Sequence, residues 1–264
     1  MRIRLRAFAL SVFLLLSPIT SSYAATLGPA QTYDDLRELL ASADRGDIIL
    51  VSGAISADDN VPLHTTSSVR LSSSDGTPSS ISGLRLQDAS VSFADITLCD
   101  SLIVGGTSHI QLASDVSVSG AYGLSGLSFT GNGTLIIDPG CSVTGGSEGD
   151  GISISHSGGE FYASIEGNVQ GGGGASGGSG VTIAPLSSHS AVMIAGSIQG
   201  GSGSSLGGHA LNLYNLSGNA YVTVDANLRG GDGVIGGNGI QLVAARDRAN
   251  VGIDGKIKGG RGES

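Results

Sequence analysis

The chain has no tryptophan, two cysteines, two methionines and only eleven phenylalanine and tyrosine residues in 264. Two cysteines cannot build a disulfide scaffold. So few aromatic faces argue against a broad stacking platform for sugars. Positive charge is scarce too, with 13 Lys and Arg against 22 Asp and Glu and no Lys or Arg from Gln87 to Leu228. Without the three arginines of the first six residues the balance is 10 against 22, a net charge of −12. Such a chain is a poor partner for nucleic acid or anionic lipid. After the first residues no apolar run is long enough for a helical membrane span.

Glycine, at 45 residues, is what the sequence has in excess. Gly-Gly pairs recur at 145, 171, 200, 230 and 259, intervals of 26, 29, 30 and 29 residues. The same apolar phrase precedes four of them: Ala163, Ile165 and Val169; Val192, Ile194 and Ile198; Val222, Val224 and Leu228; Val251, Ile253 and Ile257. A second alternating run follows each loop: Ile152 and Ile154, Val181 and Ile183, Leu211 and Leu213, Ile240 and Leu242. Period-two alternation inside a repeat of this length predicts stacked coils of two or three short strands, an all-β parallel β-helix. One coil buries too few apolar side chains to offset its ordering entropy, so stability belongs to the stack.

The register continues backwards less regularly. Leu135, Ile137 and Val143 match Ile110, Leu112 and Val118, with Val91, Phe93 and Leu98 as a fainter echo, and Val69–Leu71 and Leu84–Leu86 suit further strands. Ahead of the solenoid, Thr32 is placed to cap a short helix carrying Asp34 and Asp35 in its first turn and Leu36, Leu39, Leu40 and Ala43 on one face, stopped by Gly46. Such a helix would cover the apolar first coil. Arg2, Arg4 and Arg6, the apolar stretch Ala7–Leu16 and the small residues Ser22, Ala24 and Ala25 read as a secretory signal. The expected organisation is a signal peptide over 1–24, a capping segment with helix over 25–47, and a β-helix over 48–264, most regular from about 133. The mature chain is expected outside the cytoplasm, secreted or at the cell surface.

The helix, Gly46-Asp47 turn and apolar strand from Thr32 to Val51 resemble the amino-terminal cap of right-handed β-helices of the pectate-lyase-like superfamily. The glycine-rich coils from Gly133 are similar to the passenger regions of bacterial autotransporters and adhesin-like surface proteins. Right-handedness is implied by that resemblance and agrees with the general rule for parallel crossovers. The superfamily includes lyases, hydrolases, adhesins and passengers, so the fold alone does not choose a function.

Several columns are candidates for chemistry. Asp138, Glu166, Ala195, Asp225 and Asp254 are equivalent positions, and Asp225 and Asp254 on adjacent coils suit a carboxylate pair or a solvated acidic turn. Asp95 and Asp115, with Asp100, form the nearest approach to the superfamily's mid-helix acid cluster, with no arginine base in range. Asp150, Ser179, His209 and Asn238 form another column, holding triad residue types with serine in the middle where histidine is needed. Tyr162 and Tyr221, separated by Ala191, are placed to contact a glycan. The glycine loops lack the aspartate of calcium nonapeptide repeats: Ser153, Thr182, Asn212 and Gln241 stand there instead. No cofactor or metal is expected. Cys141 falls in an inward slot and Cys99 in an outward one two coils away, too far for a bridge.

The expected function is a non-enzymatic adhesin- or passenger-like stalk or binding surface for a surface glycan or protein. The alternatives are a polysaccharide-active hydrolase or lyase, and a purely structural repeat. The last Gly-Gly pair has no coil after it, so the carboxyl-terminal end is expected to be capped by further sequence or another subunit.

Overall fold

The computed structural model describes residues 24–57, 60–74, 78–156, 158–187 and 189–263. The expected signal peptide over 1–24 lies outside them, apart from Ala24. The chain is a parallel β-solenoid of about nine turns with one short helix. In the regular coils each turn has three strands: Ile152–His156, Phe161–Ile165 and Asn168–Gln170 belong to one turn. Stacking makes three faces, named here first, second and third in that order. Two earlier turns run through the first two faces as single bent strands, Leu102–Leu112 and Leu127–Ile137. The bend needs glycine: Gly131 has φ +137, and a Cβ there would lie 2.1 Å from the Gly106 carbonyl oxygen.

The apolar alternation becomes columns, as its spacing requires. Ala163, Val192, Val222 and Val251 are direct partners on the second face, as are Ile165, Ile194, Val224 and Ile253. Val143, Val169, Ile198, Leu228 and Ile257 continue the third face, which holds nine strands without a register shift. These columns form one core along the axis, with Phe93, Phe129 and Phe161 filling its wider parts.

The amino-terminal end departs from expectation in two details. Thr26–Ala30 is a strand, pairing in parallel with Ile48–Val51 ahead of the helix, so the sheet starts before residue 48. Its Gly28-Pro29 step disguises a strand, and an outermost strand tolerates proline because its outer amides need no partner. The helix is Tyr33–Ser42, and it ends at Ala43 rather than at Gly46; Gly46, with φ +93, makes the following turn. The expected cap is present: Thr32 Oγ1 accepts from the Asp35 amide at 3.1 Å, and Asp35 accepts from the Thr32 amide at 2.9 Å. Leu36 and Leu40 are buried against the first coil, with Leu39 partly buried beside them. Asp47, itself buried, closes the junction by accepting from the amides of Ala25 and Asp44, each at 2.8 Å.

The Gly-Gly pairs mark where the chain leaves the third face to form a projecting loop. In the loop beginning at Gly171, the second glycine of the pair donates to the coil below, Gly172 to Gly149 O at 2.8 Å, and its own carbonyl accepts from Gly178 on the returning limb at 2.8 Å. Gly178 O then accepts from Gly201, Gly201 O from Gly208, Gly208 O from Gly231, Gly231 O from Gly237, and Gly237 O from Gly260. The peptides thus bond back and forth between the two limbs and up the stack, and a Cβ on Gly172 would stand 1.6 Å from Gly146 O. Beyond this glycine neck Gly174–Ser176 pairs with Gly203–Leu206 as a small third sheet.

Both cysteines are free. Cys141 is buried, its thiol donates to Leu112 O at 3.3 Å and to Ala113 O, and burial pushes its pKa up.

Candidate functional site

Because alternate side chains of a strand point outward, each outer face presents columns of its own. On the second face Tyr162, Ala191, Tyr221 and Asn250 are direct partners, continuing Thr134 and His109 below. The two tyrosines are half-exposed and two strand spacings apart, about 9.6 Å. Met193, 40 % exposed, stands in the next column between Ser164 and Thr223, and Tyr162 Oη donates to its sulfur at 3.5 Å. Its signal in the sequence was its place two residues after Ala191, on the outward parity of the strand. A thioether between two rings adds soft apolar surface to the patch.

The acidic column runs along the border of this face. Asp225 donates its amide to Ile194 O at 2.8 Å and Asp254 to Val224 O at 2.7 Å, which places them on adjacent coils, both side chains exposed. Lower in the column, Asp138 accepts from Gln111 Nε2 at 2.8 Å and Glu166 from Ser164 Oγ at 3.4 Å. The fold therefore gathers Tyr162, Tyr221, Asp225 and Asp254 onto one surface, although the sequence offered them as separate columns.

Asp95 and Asp115 lie on lower coils in the same turn between the second and third faces, each exposed. Their φ angles are 54° and 51°, and Asp100 has 57°. Aspartate is among the few residues that adopt this left-handed conformation readily. That turn geometry accounts for the three acids. Two shallow depressions on the outer surface, of about 150 and 400 Å³, contain no acid in their linings.

The column at the root of the glycine loops is a ladder of side chain to backbone bonds. Asp150 Oδ1 accepts from the Ser179 amide at 2.7 Å, and His209 Nδ1 accepts from the Asn238 amide at 3.0 Å. Burial raises the Asp150 pKa against hydrogen bonds from the Thr182 hydroxyl and from Ser179, and burial lowers that of His209 against the attraction of Asp150. With Nδ1 accepting, the His209 proton sits on Nε2, leaving no lone pair to take a proton from Ser179. The triad residue types are brought together, but as a ladder. His156 is fully buried, donates from Nδ1 to Gly131 O at 2.8 Å, and stacks on Phe161 with centroids 5.6 Å apart.

Among the described residues no three His, Cys, Asp or Glu side chains cluster as metal ligands, and no helix is long and apolar enough to cross a membrane. These observations define the class, a parallel β-solenoid with an ordered outer face. No family model, curated protein or solved structure matches the chain.

Proposed function

We propose that this is an extracytoplasmic adhesin- or passenger-like solenoid, delivered by its signal sequence and non-enzymatic, whose second face binds a surface glycan. The observation that carries the reading is the gathering of Tyr162, Met193 and Tyr221 on one regular face with carboxylates along its border. Tyrosine rings offer apolar faces to a sugar, and exposed carboxylates accept its hydroxyl hydrogens. Rings two coils apart suit a ligand with a repeat of about 10 Å. The apolar surface of the last coil, where Leu242, Ile253 and Ile257 are each close to half exposed, is covered in this reading by further coils or another subunit.

The test is a glycan array probed with the chain and with a Tyr162→Ala, Tyr221→Ala double variant. Binding lost at least tenfold in the double variant, with the thermal transition unchanged, supports the reading; equal binding by both sinks it. Oligosaccharide release from a polysaccharide panel, abolished by Asp225→Asn and Asp254→Asn, would establish the polysaccharide-active alternative instead.

A further inference from the structure

Three outward columns make the second face. Tyr162, Ala191, Tyr221 and Asn250 form one bank, Ser164, Met193, Thr223 and Gly252 the floor, and Glu166, Ala195, Asp225 and Asp254 the other bank. The banks lie four residues apart along each strand, about 13 Å at about 3.3 Å per residue. The floor is low except at Met193, and Tyr162 reaches over it to the Met193 sulfur. The result is a shallow trough along the solenoid axis, wide enough for one extended glycan chain.

The two banks are in phase. One coil carries Tyr162 with Glu166, the coil two above it Tyr221 with Asp225, and the coil between has alanine on both banks, Ala191 and Ala195. A ring thus faces a carboxylate once every two strand spacings, about 9.6 Å. Glu166, Asp225 and Asp254 are exposed, and none of them forms an ion pair among the described residues. From His109 to Asp254 none of the three columns holds a Lys or Arg. A sugar carboxylate or sulfate in the trough would meet like charge with no cation to offset it. A hydroxyl gains an ordinary hydrogen bond from the acid bank. A protonated amine gains a charge-assisted one, about twice as strong, and the tyrosine faces opposite attract the same cation.

We propose that the trough takes an amino-sugar glycan, a chain whose free, protonated amines return to the same side about every 10 Å, with Tyr162 and Tyr221 on one flank and Glu166 and Asp225 on the other. This ligand class rests on the glycan reading of the same face. One exposed charge pair contributes little by itself, so selectivity comes from several repeats engaged at once.

The experiment is calorimetric titration of the full chain, at low salt and a pH that keeps sugar amines protonated, with the β-linked hexamer of glucosamine and with the same hexamer fully N-acetylated. Both present ring faces and hydroxyls, and only the first carries charge. The glucosamine hexamer is expected to bind at least tenfold tighter, an advantage that shrinks as salt is raised. Glu166→Gln with Asp225→Asn should bring the two hexamers within about threefold of each other, as screening by salt does, and Tyr162→Ala with Tyr221→Ala should weaken both. Equal binding of the two hexamers, or a glucosamine preference that survives the Glu166 and Asp225 substitutions, overturns the amino-sugar assignment and leaves the glycan reading standing. Glucosamine binding untouched by the tyrosine substitutions is diffuse attraction to a negative chain and overturns it as well. If neither hexamer binds while the glycan array shows another ligand, the amino-sugar assignment alone falls; if the array is blank too, the glycan reading falls with it.

Discussion

At Gly172 there is no room for a methyl group. The nearest atom to a Cβ there is a backbone oxygen of the coil below, 1.6 Å away, which cannot rotate aside. Gly172→Ala is therefore expected to destabilise by about 3 kcal/mol or more, at or above the top of the usual range for overpacking. Gly158 meets nothing within 4 Å and does not need positive φ. Gly158→Ala should leave stability unchanged or raise it slightly. Chemical denaturation of the two variants checks the contrast, and similar losses in both would refute the close-approach account. His209 supplies a residue-scale pH dependence. Its folded pKa lies below the unfolded value of about 6.5. The unfolded chain therefore takes up a proton first, and the stability contributed by neutral His209 is complete above that pH and lost as pH falls toward the folded value. Asp150 works in the opposite sense, because its folded pKa is raised: its contribution increases as pH falls from that value toward about 3.9. Melts from pH 7 downward should show a loss that His209→Gln flattens; an unchanged profile in that variant would rule out the Nδ1 bond as its source.

At the scale of elements, the helix was legible because its signals are local. Thr32 and Asp35 satisfy each other's amides within one turn, and Leu36 and Leu40 share a face whatever lies beneath. Thr32→Ala should cost about 1 kcal/mol, seen as a lower denaturation midpoint at constant slope. No change would mean that the cap is carried by packing on the first coil alone. The strand Thr26–Ala30 was not legible, because Gly28 and Pro29 break the alternation and only pairing with Ile48–Val51 makes it a strand. Of the bent strands Leu102–Leu112 and Leu127–Ile137 only the second halves were legible, where Ile110 and Leu112 match Leu135 and Ile137. Their glycine bends keep the ladder intact through the corner, which depends on the coil beneath.

At the scale of the molecule, stability resides in interfaces between nearly equivalent coils. Deleting Gly171–Gln199, one whole coil, would join Gln170 to Gly200, which occupies the place of Gly171. That shortened chain should keep its β circular dichroism and a cooperative transition, with a denaturant slope reduced in proportion to the surface removed. Removing only Gly171–Pro185 should abolish folding, since half a coil puts every later side chain out of its column. If both deletions behave alike, register between coils is not what organises the protein.

The sequence by itself determined the repeat, the inward columns and the separation of Cys99 from Cys141. Alternation and period need no partner to be read, and equivalent residues must stack if coils stack. The tertiary structure alone decided which outward columns share a face and which outward oxygens are closed to water. Tyr221 and Asp225 belong to a border only because three faces fold around one core. Asn212 stands in an outward place of its strand and is nonetheless buried, and burial of that kind is a property of neighbours that the order of residues does not name.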